Sequence, residues 1–454
     1  MLGAIFSFYL VATILMCFVQ MRIGIAMFLL YSLLVPFLKL FSFGENLFPF
    51  LIMAALLFNY GYKKLVYKPL LPFLFLYLAQ LLLIPFHYDV PIDVQLNSFR
   101  ADLMSTLLLP LTMINVISKD AKALPLFKKT LVIVIIIASL YSLLLTSTPG
   151  INPYLLVVMP LSGHEFNNTY ALAENEGRVF GRISGVFTHP MTNGLFLSFS
   201  LIYLLALFGD KRNNFKKRIL FLPVFLAVAL AIFFIGVRTA IGASIIALCT
   251  YILLEKRAVL ILYIIAGGLL LSIVLQQVKG MQDVITSMFD SKSSTVSGSS
   301  LDMRISQFNG ALHEIKNNLL FGKGYGWTAY YWNLKGDHPV LLAFESIVYI
   351  VLCNNGIIGI AVWLVMLYLY YYNIAQEVFR KRDFNILMCL MITYVAYSII
   401  TGEYGYMKYL LIFYTIMWSQ GLTLHSRLRQ ISRYKYEQKS KSNRILSSPI
   451  SSNT

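Results

Sequence analysis

Apolar runs of about 18–20 residues recur along nearly the whole chain, separated by short polar connections, and a run of that length is what carries a helix across bilayer hydrocarbon. The pattern predicts spans near residues 4–20, 24–41, 46–60, 69–86, 101–117, 129–146, 187–208, 219–236, 239–254, 258–275, 342–374, 384–400 and 408–424. The first two are joined only by Met21 to Gly24. Thirteen spans with the N-terminus outside and twelve with both ends inside therefore both fit. The expected fold class is all-α: a polytopic integral membrane protein of about 12–13 transmembrane helices. Residues 1–424 are expected to form one membrane domain, and residues 425–454 a basic, disordered cytoplasmic tail.

The apolar character lapses at length in two places, residues 147–186 and 276–342. Irregular polar backbone is excluded from hydrocarbon, where each unsatisfied N–H or C=O costs several kcal/mol. Both segments are therefore expected outside the lipid. The second contains SKSSTVSGSSLDM, a Ser-rich stretch expected to be mobile. The following residues place Ile305, Phe308, Leu312 and Ile315 at helical spacing, which predicts a surface helix from Leu301 to Asn317. FGKGYGW contains GxGxG but no strand precedes it, so it reads as a turn and not as a nucleotide fingerprint.

Composition narrows the class. The chain is 58% hydrophobic and 13% charged, which excludes a soluble domain with one large core. Its net charge of +17 would suggest nucleic acid in a soluble protein. Here most of the 37 Lys and Arg fall in short connections on one side and in the tail, including Arg22, Lys63, Lys64, Lys68, Lys119, Lys122, Lys211, Arg212, Arg380 and Arg382. That asymmetry marks the cytoplasmic side and needs no nucleic acid. The two long segments are then extracytoplasmic. The four cysteines lie in apolar stretches with no CxxC and no neighbouring histidine, so neither a disulfide nor a metal site is indicated. The uncharged first twenty residues lack the basic start of a signal peptide and read as a retained span.

A few charges stand close to apolar runs. Arg238 sits in FFIGVRTAIGAS, at an outer turn between two spans. It either binds lipid phosphate or faces a cavity, where its planar fork grips a phosphate or carboxylate. Arg178 and Arg182 lie in GRVFGRISGVFTHPMTNG, where Gly181 and Gly185 allow close backbone approach and His189, Pro190 and Asn193 follow. Arg182 and Arg238 share the outer face and so can act together on a doubly charged group. Glu345 opens FESIVYIVLCNNGIIG and His338 precedes it; both are candidate proton acceptors. His189, Asn193 and Arg304 are candidate substrate contacts.

Taken in order, RISGVFTHPMTNG, VRTA, a long outer loop ending in LLFGKGYG, and ESIVYIVLCNNGIIG resemble the O-antigen ligase and polymerase superfamily of bacterial polysaccharide assembly. The likeness covers roughly residues 178–374. It implies an enzyme without metal or cofactor that uses glycan on undecaprenyl diphosphate at the outer face of the bacterial cytoplasmic membrane. It also implies that Arg182 and Arg238, with Arg178 beside them, hold the diphosphate. Glu345 and Ser346 stand where ligases carry His-Asn, and this is similar to polymerases. The polymerase spacing of Arg, ten residues, Gly is missed by one, since Arg182 to Gly194 encloses eleven. The leading expectation is a polymerase of lipid-linked repeat units, with the bilayer and a chain-length regulator as partners. A ligase acting on a lipid A core or protein is the alternative within the class. A transporter or flippase of lipid-linked glycan is the alternative outside it.

Overall fold

The computed structural model describes residues 2–35, 41–62, 65–86, 89–148, 151–162, 181–208, 215–255, 301–342, 344–378, 380–403 and 405–421. Arg178, the 258–275 run, the Ser-rich stretch and the 425–454 tail lie outside the described residues. Within them the protein is all-helical: α1 (Leu2–Val19), α2 (Met21–Leu34), α3 (Phe41–Tyr60), α4 (Leu71–Leu83), α5 (Ile92–Lys119), α6 (Ala123–Leu144), a short α7 (Pro153–Val158), α8 (Pro190–Phe208), α9 (Phe215–Phe234), α10 (Arg238–Glu255), α11 (Leu301–Glu314), α12 (Trp327–Lys335), α13 (Ile347–Glu377), α14 (Lys381–Thr401) and α15 (407–421). Among the described residues a helix lies over every expected span. Seven helical stretches are long and apolar enough to cross a membrane, which makes this a polytopic membrane protein: Lys68–Phe86, Ile92–Lys119, Ala123–Ser147, Pro190–Phe208, Arg238–Glu255, Ile347–Glu377 and Lys381–Thr401.

The most buried of the seven candidate spans takes the centre. Most of α8 is buried, as a helix without a polar face must be. Phe187, Phe196, Phe199 and Tyr203 interlock with Tyr409 and Phe413 of α15. Three buried hydroxyls are satisfied inside their own helices: Thr112, Ser200 and Thr393 each donate to the carbonyl one turn back. In a medium that supplies no hydrogen bonds, this is how a hydroxyl enters a core.

Contacts between loops sort the two ends of the bundle. Arg22 pairs with Asp120 at 3.0 Å, Lys68 with Glu377, and Lys128 with Gln420, while Arg382 donates to the carbonyl of Ala206 and Asn385 to Glu255. The basic connections thus gather at one end. At the opposite end lie the starts of α8 and α10, the end of α14, and a small cap with its own apolar core. Val90, Ala311, Trp327, Leu341, Phe344, Tyr349 and Cys353 form that second core. Helix α11 is the expected surface helix, ending at Glu314 with a 3-10 turn at Lys316–Asn318.

The cap joins the bundle through a break in α13. Gly356 has φ 61° and ψ −157°, a conformation essentially restricted to glycine. The break frees backbone groups, and the 319–324 turn satisfies them. Lys323 and Gly324 donate to the carbonyls of Cys353 and Asn354 at 2.8 and 2.9 Å, and Ile357 and Ile358 donate to Leu319 and Leu320 at 3.1 Å each. A Cβ on Gly356 would sit 2.4 Å from the Leu320 oxygen, and one on Gly322 would sit 2.6 Å from the Gly356 nitrogen. Residues 357–377, at about 1.5 Å per residue, measure roughly 31 Å and cross a bilayer unaided. The 342–374 span expected from hydropathy is therefore two pieces. Its first part, 347–355, belongs to the cap, and its second crosses the membrane. FGKGYGW is indeed a turn, and it is the one that seats the cap.

Candidate active site

Three chain segments converge at the capped end. Helices α8 and α10 run parallel, from the capped end to the basic end. Their N-termini, where N–H groups lack partners and the helix dipole is positive, point the same way. Gly194 lets them and α14 approach: a Cβ there would stand 2.9 Å from both the Ala240 Cβ and the Tyr397 hydroxyl. Arg238 is the first residue of α10, set by the turn through Gly236 at φ 68°. The Ile183 N–H donates to the Ile235 carbonyl at 3.1 Å, which pins the strand of chain carrying Arg182 against that turn. The two guanidinium groups are consequently near enough for each charge to bear on the other. Two cations at the positive ends of two helices make a strong field for an anion of charge two.

Asn193 is fully buried. Its amide donates to the Ser142 hydroxyl at 2.9 Å and to the Ile183 carbonyl at 3.0 Å. It lies against the turn at Gly185, whose φ is 60°, in the chain that carries Arg182. His189 is exposed beside the start of α8, where its Nδ1 accepts from the Met191 N–H at 3.2 Å. Tyr397 of α14 donates to the Met191 carbonyl at 2.6 Å and lies within electrostatic reach of Arg182.

One turn further along α14 the cap is attached. Arg304 of α11 donates to the carbonyls of Ile400 at 2.8 Å and Glu345 at 2.6 Å, and pairs with the Glu345 carboxylate at 3.3 Å. Its own carbonyl accepts from the Tyr349 hydroxyl at 2.9 Å. Arg304 is thus a clamp between cap and bundle, and Glu345, with 39% of its side chain exposed, is the acidic half of that clamp. Leu342 and Phe344, at φ 50° and 55°, force the chain to turn just before Glu345. Ser346 then caps α13 by accepting from Val348.

His338 is buried in the cap core. Its Nδ1 accepts from the N–H groups of Val340 and Leu341, so its proton is on Nε2, directed at Glu314 3.3 Å away. Glu314 also pairs with Lys323 at 3.1 Å, and Lys323 sits over the Trp327 ring. Burial works to raise the Glu314 carboxyl, but Lys323 and His338 outweigh it and hold it below its ordinary value. With both ring nitrogens engaged, His338 acts in this structure as an internal strut of the cap.

A second pair of carboxylates lies at the same end and was not singled out from sequence. Asp102 is in α5, where it accepts from the Tyr325 hydroxyl at 2.7 Å. Glu403 follows α14, accepting from the N–H groups of Gly405 and Met407 and from Tyr394. Burial lifts the Glu403 carboxyl above its ordinary range against the pull of those donors. Asp102 falls inside the expected 101–117 span, at its edge, and an acid at that position was the available signal. Among the described residues no group of three or more His, Cys, Asp or Glu converges as a metal would require. No family model and no curated protein matches this chain.

Proposed function

We propose that this protein is a membrane glycosyltransferase of the polymerase type. It moves a growing glycan from undecaprenyl diphosphate to a hydroxyl of the next lipid-linked repeat unit, at the outer face of a bacterial cytoplasmic membrane. The observation that carries the reading is the bond from the Ile183 N–H to the Ile235 carbonyl, which holds the chain carrying Arg182 against the turn before Arg238, at the ends where α8 and α10 begin. As the glycosidic bond breaks, charge grows on the leaving diphosphate. Two fixed guanidinium groups and two helix ends in a low-dielectric setting stabilise that growing charge more than they stabilise the ground state. A metal is not needed to neutralise the diphosphate where two arginines can.

The break in α13 is the feature that a transporter reading would use, because discontinuous helices often form transport sites. Here the freed groups are bonded to the chain's own 319–324 turn, and 357–377 is long enough to span on its own, so the break seats a cap. That favours surface chemistry over passage. The test is the glycan of a deletion strain. A polymerase predicts loss of long chains with single repeats still attached. Loss of all attached glycan would point to a ligase, and unchanged chain length would refute the reading.

A further inference from the structure

We infer that Asn152 is a positioning residue for Arg182: it fixes the backbone from which that guanidinium reaches the leaving diphosphate. The inference deepens the diphosphate reading above and rests on it. Asn152 is buried, at 3% exposure, and lies 32 positions from Ser184 in sequence. Its side chain makes four hydrogen bonds, the full capacity of a carboxamide. Oδ1 accepts from the Tyr141 hydroxyl at 2.9 Å and from the Leu155 N–H at 3.1 Å, and the second of these caps α7. Nδ2 donates to the Gly185 carbonyl at 2.7 Å and to the Ser184 hydroxyl at 3.0 Å. A backbone N–H only donates and a backbone carbonyl only accepts, so Leu155 and Gly185 together fix which end of the amide is which.

Asn152 is itself held. The Tyr141 hydroxyl accepts from the Tyr154 N–H at 3.0 Å, and the Tyr154 hydroxyl donates to the Leu34 carbonyl at the end of α2. Asn152 therefore stands on a frame of α2, α6 and α7, and that frame grips the residues that follow Arg182. Ile183 is fixed through both backbone groups: its N–H donates to Ile235 at 3.1 Å and its carbonyl accepts from Asn193 at 3.0 Å. Asn152 adds the hold on Ser184 and Gly185. Gly185, at φ 60°, has little room to shift, since a Cβ there would stand 2.7 Å from the Ser142 Oγ and 2.9 Å from the Asn193 Nδ2. A long arginine side chain presents its fork in one place only when its own backbone is fixed. Bonds to three consecutive residues directly after Arg182 supply that fixation, and Asn152 makes those to two of the three.

The test measures binding of undecaprenyl diphosphate to the purified full chain in lipid nanodiscs. Asn152→Ser keeps an oxygen to cap α7, because Ser caps about as well as Asn, but loses both bonds donated to Ser184 and Gly185. It is expected to weaken binding by more than about twofold and up to about tenfold. Arg182→Ala is expected to weaken it about tenfold or more. The double variant decides. If Asn152 acts through Arg182, adding Asn152→Ser to Arg182→Ala costs less than about a further twofold. If Asn152 only supports the fold, the two losses multiply and the inference is overturned. It is equally overturned if Asn152→Ser alone stays within about twofold of wild type. Should Asn152→Ser fail to accumulate, Asn152→Thr, which fills more of the space with the same kind of cap, is read by the same two comparisons. If neither variant accumulates, Asn152 is a requirement of the fold and the inference falls. Wild-type binding that Arg182→Ala leaves unchanged would instead sink the diphosphate reading itself, which separates the two failures.

Discussion

At the scale of single residues, the arginines separate by what each guanidinium touches. Arg238 stands at a helix N-terminus beside Arg182, while Arg304 is spent on two carbonyls and Glu345. Arg238→Lys keeps the charge but loses the bidentate fork. Losing one or two charge-assisted hydrogen bonds of about 1.5–3 kcal/mol each predicts a fall in chain-growth rate of tenfold or more, read from product length on gels. Wild-type polymer from normally expressed Arg238→Ala would return this arginine to binding lipid. Glu345→Gln breaks a partly exposed pair, so its expected cost is at most about 1 kcal/mol of stability. Its chain growth per folded molecule should stay within threefold of wild type, and a loss of about 100-fold or more would restore Glu345 as the proton acceptor. The Glu314 carboxyl, held below its ordinary value of 4.5, contributes stability that is complete above that value. That contribution is lost as pH falls through the lowered value. Limited proteolysis of the cap should therefore accelerate in acid for the wild type, and the pH dependence should flatten in Glu314→Gln.

At the scale of elements, the helices were legible because the lipid demands long apolar runs, and each described span found its helix. The division of α13 was not legible. Hydropathy saw one apolar stretch from 342 to 374, and only the Gly-only conformation of Gly356 and the backbone bonds to the 319–324 turn split it. LLFGKGYG and NNGIIG are adjacent in space because the first satisfies the second. An ordered pair of glycine-bearing motifs is visible in sequence, but their contact depends on a fold that periodicity cannot supply. Likewise Asn193 and His338 stood out by residue type alone, and only the fold brings Asn193 to Ser142 and Ile183, and His338 to Val340, Leu341 and Glu314. Gly356→Ala is expected to destabilise the cap by at least about 1–3 kcal/mol, since the conformation is disallowed and the added carbon meets the Leu320 oxygen. Gly242→Ala in α10 has open space, and replacing a mid-helix glycine should raise stability by about 0.5–1 kcal/mol. Thermal unfolding in detergent reads both; equal effects would mean that the α13 break is not what holds the cap.

At the scale of the whole molecule, the protein is a bundle with unlike ends: basic connections at one, and at the other a cap with Arg182, Arg238, Asp102 and Glu403. From the basic-loop asymmetry we propose that the first end faces the cytoplasm. In intact cells an impermeant thiol reagent should label Asn333→Cys on the cap and spare Lys122→Cys at the opposite end, both positions being exposed. Cys17, Cys353 and Cys389 are buried, and the exposed Cys249 is first replaced by Ser to remove its background. The reverse pattern would invert the topology and remove the donor from reach. The central claim, that Arg182 and Arg238 together hold a leaving diphosphate for glycan transfer, is met most directly by reconstituting the purified chain in vesicles with a lipid-linked repeat unit alone. The account predicts a ladder of products from the wild type and single repeats only from the Arg182→Ala, Arg238→Ala double variant inserted at the same level. A ladder from the double variant, or none from the wild type, would contradict it.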